Sequence, residues 1–450
     1  MQEEQARKIK SQPRFSGIFE NGEGFGRRIK LTSHDFSKVD TFVKKVLSDD
    51  SPDYVTKLEN RIATYIGVPY AVATSSGTSA MHIALKLAAK MVYGSEDLEG
   101  KKVFCSDLCP IEQAMPILYE NGEPVFIDVT EDDYCMDPEC LAKAFALHPE
   151  TRIVIMNHLY GFAVDMKSVK EVCHYHKAIL IENASESFGS KVDGQFAGSF
   201  GDIAVLDFDG DKIVSGQSGG IVLVNNTDDA DYARKLVNMS KRNLPWTYAD
   251  TIGFDYCMSN ISAAMVIGQF DHIDEIIARK KEIYENYQDN ICEDFIYTLY
   301  PTEEAEPNYW MPVMMCDSLL EAAETRTESG YSYTDEHGTS SPMEIVDALE
   351  AFGAEASPIY TAMSLQPVFE GREYITFYEN LKVTSTHEEN NSLFVEGISR
   401  DASKKCLCLP SDLSMTEDEQ AKVVDIVHSC FNKISIDREA SEAIGNSCGT

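Results

Sequence analysis

Two short stretches of this 450-residue chain place chemically capable side chains on tight turns. The first is Thr74-Ser75-Ser76-Gly77-Thr78-Ser79-Ala80, set between a predicted strand and a helix predicted over Ala80–Met91. A small turn at a helix N-terminus leaves backbone N–H groups free and presents the positive end of the helix dipole. Gly77, Thr78 and Ser79 therefore suit an anion such as a phosphate. The same residues suit a plain N-cap by Ser76 or Thr78, and on these residues alone both readings stand. The second stretch is Asp207-Phe208-Asp209-Gly210-Asp211-Lys212, in the tight connection between two predicted strands. A lysine on such a loop can reach into a cleft and form a Schiff base with a carbonyl. A solvated turn with a surface lysine is the alternative.

Metal chemistry is less well supported. The Asp-x-Asp-x-Asp spacing from Asp207 resembles a calcium loop, but Lys212 stands where the loop glycine belongs and Ser218 where the bidentate glutamate belongs. Cys406 with Cys408, and Cys105 with Cys109, lack a second pair at zinc spacing. His174 and His176 flank an ordinary helical stretch beside Cys173. The expectation is no metal, with reduced structural thiols and a cytoplasmic location.

The elements that must position these turns alternate short apolar strands with helical stretches, the pattern of a sheet wrapped by helices. Seven strands are predicted: Tyr70–Thr74, Lys102–Cys105, Pro124–Asp128, Arg152–His158, Ala178–Asn183, Ile203–Phe208 and Gly220–Asn225. Several are apolar on both faces, as in central strands covered by helices. The first six are far enough apart for crossovers. Only Asp209–Gly219 joins the last two, so those should pair antiparallel.

A helical stretch from about Asn260 to Tyr287 leads out of this domain. The predicted division is a polar N-terminal extension over 1–30, a large α/β domain over 31–290, a small α+β domain over 291–435 and a tail over 436–450. A solvated loop insertion is expected at about 318–341. Lys plus Arg number 39 against 74 Asp plus Glu, a formal charge of −35. Such a surface repels phosphate backbones and anionic lipid, which argues against nucleic-acid and membrane partners. No apolar run has the length of a signal peptide core or a membrane span.

Taken together, the ordered segments resemble the DegT/StrS family of nucleotide-sugar aminotransferases, over residues from about 50 to 434. The likeness rests on Tyr70-Ala-Val-Ala-Thr-Ser-Ser-Gly-Thr-Ser-Ala-Met-His-Ile-Ala-Leu85, Pro124-Val-Phe-Ile-Asp128 and His158-Leu-Tyr-Gly161. It continues through Ile181-Glu-Asn-Ala-Ser-Glu-Ser-Phe-Gly-Ser190, Gly198-Ser-Phe-Gly-Asp202, Gly219-Gly220 and Met258-Ser-Asn-Ile-Ser-Ala-Ala264. Leu365-Gln-Pro-Val-Phe369 and Cys408-Leu-Pro-Ser411 complete it. The resemblance implies a fold-type I transferase dependent on pyridoxal 5'-phosphate. That fold has a seven-stranded, mostly parallel sheet with helices on both faces and a smaller C-terminal α+β domain. It also implies a keto-sugar substrate, an amino donor and a homodimer in which the segment around Asp255 reaches across to its partner.

Residue by residue, the resemblance makes Lys212 the catalytic Schiff-base lysine, Gly77, Thr78 and Ser79 the phosphate turn, and Glu186 a neighbour of the cofactor's ring hydroxyl. Departures fall on the same site. Asn183 stands where the family pairs an aspartate with the pyridinium nitrogen, and Pro110 where an aromatic ring stacks. Asp207 replaces a phosphate-binding serine, Asp255 an asparagine and Cys257 an arginine, while Ser357, Thr361 and Ser364 replace basic residues of a close branch. A carboxylate about 4 Å from a unit negative charge costs roughly 4 kcal/mol at an effective dielectric near 20. Two functions therefore stay open: an active aminotransferase acting on a keto sugar, and a catalytically reduced homologue serving as a structural or regulatory partner. An acidic cleft that takes a metal or cation from Asp207, Asp209, Asp211 and Asp255 is a third.

Overall fold

One helix that is apolar on nearly every side sets the centre of the molecule. In the computed structural model Gly77–Tyr93 forms this helix, and its side chains are buried almost continuously from Ser79 to Ala89. Burying residues such as Ile83, Leu85 and Leu87 contributes about 1.5–3 kcal/mol each. The helix starts three residues before its predicted first residue because Ser76 and Ser79 form a reciprocal capping box. Gly94 ends it in the left-handed conformation at φ 67°, its N–H bonded to the Lys90 carbonyl. The structure describes residues 3–431 apart from 21, 50–51, 96, 165, 292–295, 299–303, 317–320, 335–337, 378–379 and 383–396.

This helix covers one face of a nine-stranded sheet. The spatial order is Tyr70–Thr74, Gly220–Val224, Ile203–Asp207, Ile179–Asn183, Ile153–Asn157, Lys102–Ser106, Glu123–Ile127, Glu373–Ile375 and Asn380–Lys382. All seven predicted strands form, and Gly220–Val224 runs antiparallel to Ile203–Asp207 as expected. The count is nine rather than seven because Glu373–Ile375 pairs in parallel beside Glu123–Ile127 and carries Asn380–Lys382 with it. Strands of three residues are too short to show a period of two in the sequence.

Alternate strand residues divide between the two faces. Val72, Val205 and Val222 pack with the helix Gly77–Tyr93. Ala73, Leu206 and Leu223 face the other way, towards Leu58 and Ile62 of the helix Tyr54–Ile66 and Ile267 of the helix Asn260–Phe270. The helical stretch predicted to Tyr287 is two helices, Asn260–Phe270 and Ile273–Ile291.

Beyond them lies a four-stranded antiparallel sheet in the order Ile296–Thr298, Val313–Cys316, Cys406–Cys408, Ser357–Pro358. Its Met314 and Leu407 pack with Ile345 and Leu349 of the helix Pro342–Phe352 and Val423 of the helix Glu417–Cys430. No helix among the described residues is long and apolar enough to cross a membrane.

Two segments read as solvated are built into the structure. Residues 3–20 are not a loose polar extension: Glu3–Lys10 is a helix, and Ile9, Phe15 and Phe19 are buried. Phe15 meets Phe352 edge-on at 5.5 Å and Phe19 stacks on the same ring at 5.2 Å. The expected loop insertion carries a hairpin, Glu324–Thr327 with Gly330–Tyr333. Its Tyr331 and Tyr333 hydroxyls donate to Asp347 at 2.6 and 3.0 Å. The predicted tail over 436–450 lies outside the described residues.

The N-terminal packing has a direct test. Phe15→Ala should lower stability by about 3 kcal/mol in denaturant titration, the cost of emptying a buried aromatic site. An unchanged midpoint would show that residues 3–20 do not belong to the cooperative core.

Candidate active site

The carboxyl ends of the sheet strands bring the two chemically capable turns together. Thr74 leads into the Ser75–Gly77 turn, Ser106 leads to Pro110, and Asn183 and Asp207 are each the last residue of a strand. In open α/β sheets this edge is where ligands bind. Gly77, Pro110, Asn183, Asp207 and Lys212 line one small cavity there. Its volume is about 10 Å³, room for roughly one water.

Lys212 is 3% exposed. Its Nζ lies 3.4 Å from Asp211 Oδ2 and 4.8 Å from the centre of the Trp310 ring. The Trp310 indole N–H in turn donates to the Asp211 carbonyl at 2.7 Å, which fixes the loop. Burial alone would lower the Lys212 pKa, but the combined field of Asp211, Glu186, Asp207 and Glu112 outweighs it and holds the amine above the usual lysine value. The lysine is therefore a cation at neutral pH.

Glu186 is buried behind it and accepts from the Tyr160 N–H and the Tyr360 hydroxyl, both at 2.7 Å. Burial pushes its carboxyl up to about 7, against the opposing pull of Lys212 and these two donors.

Asp207 takes the position that decides the character of the cavity. Its Oδ1 accepts from the Gly77 N–H at 3.1 Å and the Asp209 N–H at 3.2 Å. One donor at the helix N-terminus is thus held by the chain's own carboxylate. Burial raises the Asp207 pKa to about 7; Lys212 opposes the rise, while Asp209, Glu112 and Asp211 add to it.

The remaining expected residues sit elsewhere. Ser79 is part of the Ser76 capping box: its N–H donates to Ser76 Oγ and its hydroxyl accepts from the Ser76 N–H. Neither Ser79 nor Thr78 lines the cavity. Asp255 is exposed and also lies outside the lining. Ser364 is fully buried and bonds to Asp107. Among the described residues no group of three His, Cys, Asp or Glu is arranged to hold a metal.

Sequence reasoning missed Glu112, Gln113 and Ser185, which also line the cavity. The first two lie in the opening turn of the helix Ile111–Tyr119, which Pro110 caps. Their offset from Pro110 was the available signal. Gln113 connects the strands: Asn183 Nδ2 donates to Gln113 Oε1 at 2.8 Å, and Gln113 Nε2 donates to Asn157 Oδ1 at 3.2 Å.

With this geometry in hand, comparison with known proteins decides the lineage. The pattern of the DegT/DnrJ/EryC1/StrS aminotransferase family matches residues 34–428. The chain belongs to that family.

Among its relatives, EpsN of Bacillus subtilis (strain 168) is 29% identical over 387 residues, covering 85% of this chain and 89% of its own. A GDP-perosamine synthase of Escherichia coli O157:H7 is 30% identical over 274 residues, 61% of this chain and 72% of its own. The crystal structure of the aminotransferase TlmJ from Streptoalloteichus hindustanus superposes with a TM-score of 0.74 at 18% identity, covering 91% of this chain and all of that one.

Aminotransferases of this family depend on pyridoxal phosphate. Here the residues fit the cofactor at one end only. A buried amine, Lys212, is available to its aldehyde. Asn183 offers the ring an amide rather than a carboxylate, and Asp207 holds the donor that its phosphate would use. While Asp207 sits on Gly77, the phosphate end does not fit.

The raised Asp207 pKa makes a stability prediction. The folded value lies above the unfolded carboxylate value of roughly 3.9, so the folded state binds the extra proton. The resulting stabilisation is present below about pH 4 and lost as pH rises to about 7. Asp207→Asn should gain on the order of 2–4 kcal/mol relative to wild type between about pH 4 and about pH 8, read by denaturant unfolding. An equal effect at both pH values would contradict an ionising, buried Asp207.

Proposed function

We propose that this chain transfers an amino group between an amino donor and the keto group of a nucleotide-linked sugar, as a cytoplasmic homodimer. The observation that carries this reading is the buried Lys212 amine at the carboxyl edge of the sheet, in the same cavity as Asn183 and the helix N-terminus at Gly77. Membership of the family supports it, as does the name GDP-perosamine synthase carried by a relative 30% identical.

Each residue's part follows from its surroundings. Lys212 is held by Asp211 and Trp310 so that its amine faces the cavity and can exchange a proton there. Glu186, with its pKa about 7 and the Tyr360 hydroxyl on it, can hold a proton beside the lysine. Trp310, Tyr160 and Tyr360 form a stack beside the lysine and Glu186. The cofactor, when bound, supplies the electron sink that stabilises charge on the substrate carbon.

A second reading, a homologue of reduced activity that serves as a structural or regulatory partner, is favoured by one observation. Asp207 accepts from the Gly77 N–H, a donor the cofactor's phosphate would otherwise use.

A half-reaction separates the two. Protein incubated with pyridoxal phosphate and then given L-glutamate should release 2-oxoglutarate in proportion to protein, and Lys212→Ala should release none. Absence of 2-oxoglutarate from wild type, with other amino donors equally inert, would leave the reduced homologue as the function.

A further inference from the structure

We infer that the Asp207 carboxylate is an internal occupant of the anion seat at Gly77, and that the cleft therefore selects carbonyl ligands without a phosphate over phosphorylated ones. This rests on the reading of Lys212 as the reactive amine and adds to it which carbonyl compounds that amine can meet.

Three observations carry it. Asp207 already holds the Gly77 N–H, and Ser76 Oγ holds the Ser79 N–H. Contact at the seat is close: a Cβ on Gly77 would lie 2.5 Å from Asp207 Cγ, so glycine is what lets the carboxylate in. Glu112 lines the same cavity, so a phosphate entering there would meet two acidic side chains. An aldehyde with no phosphate asks nothing of the seat.

The bond chemistry is the same for both kinds of ligand. Lys212 first gives its proton to solvent or to Glu186; the neutral amine then adds to the aldehyde carbon, water leaves, and a C=N bond forms. Borohydride then delivers hydride to that carbon and leaves a stable secondary amine. Because the lysine step is shared, the ratio between two aldehydes isolates the seat.

The test uses pyridoxal and pyridoxal 5'-phosphate as probes. Each is titrated onto wild type, Asp207→Asn and Asp207→Ser, trapped with borohydride, and the Lys212 peptide is quantified by mass spectrometry. In wild type, pyridoxal should modify Lys212 at a lower concentration than pyridoxal 5'-phosphate. In both variants the preference should shift towards the phosphorylated aldehyde by about 10- to 100-fold, the size expected for removing one like charge from a partly desolvated site. Asp207→Asn keeps the shape and the acceptor on Gly77, so it carries the comparison if Asp207→Ser folds poorly.

A wild type that prefers the phosphorylated aldehyde, with a ratio unchanged in both variants, overturns the inference and leaves the Lys212 reading standing. Failure of both aldehydes to modify Lys212 in all three proteins overturns both readings.

Discussion

A single hydrogen bond, from the Gly77 N–H to the Asp207 carboxylate, ties the two halves of the cleft together. It joins the end of the strand Ile203–Asp207 to the first turn of the helix on which the sheet's core packs. A helix N-terminus stabilises negative charge within its first turn, by up to about 2 kcal/mol in partly buried settings. Asp207 also receives the Asp209 N–H and the field of Lys212. Even so its pKa is raised to about 7, because burial, joined by the nearby Asp209, Glu112 and Asp211, outweighs the pull of Lys212. The carboxylate sits near balance at neutral pH, anchored by geometry more than by charge.

That balance extends to the lysine. Asp211, Glu186, Asp207 and Glu112 all raise Lys212, and Lys212 in turn opposes the rise of both Asp207 and Glu186. Such groups titrate as a set, so neutralising one carboxylate lowers the amine's pKa and strengthens it as a nucleophile. Tyr160 stacks between Trp310 and Tyr360, which packs an aromatic cluster beside Lys212 and Glu186.

The parts legible in the sequence were those written locally. Five-residue strands apolar on both faces, a Ser-Gly turn before a helix, and a lysine in a short strand connection are each contiguous signals. What was not legible depends on partners far away in the chain. Phe15 and Phe19 stand among polar residues and glycines, and their burial needs the Phe352 ring. Glu373–Ile375 takes its place in the sheet because Glu123–Ile127, far away in the chain, offers it an edge. The hairpin is different, because its signal was present. Tyr331 and Tyr333 alternate on one face after Gly330, whose φ of 144° is readily adopted only by glycine. With few aliphatic residues it was read as solvated, while its tyrosines instead dock through hydroxyls on Asp347.

Asn183 carries the last inference about the site, and it is more than a lost charge. The Leu108 carbonyl can only accept, so Asn157 must donate to it through Nδ2, as it does at 3.2 Å. Asn157 Oδ1 is then an acceptor and takes Gln113 Nε2, which leaves Gln113 Oε1 facing residue 183 as a further acceptor. A donor is required there, and Asn183 Nδ2 supplies it while its Oδ1 accepts from the Ser185 N–H. Backbone groups at both ends thus fix the direction of the whole relay. A carboxylate at 183 would set two acceptors against each other in a buried place, at the cost of an unsatisfied group, about 1–3 kcal/mol or more. The neutral amide is therefore built into the frame through Gln113, and a change at 183 alone would leave that frame mismatched.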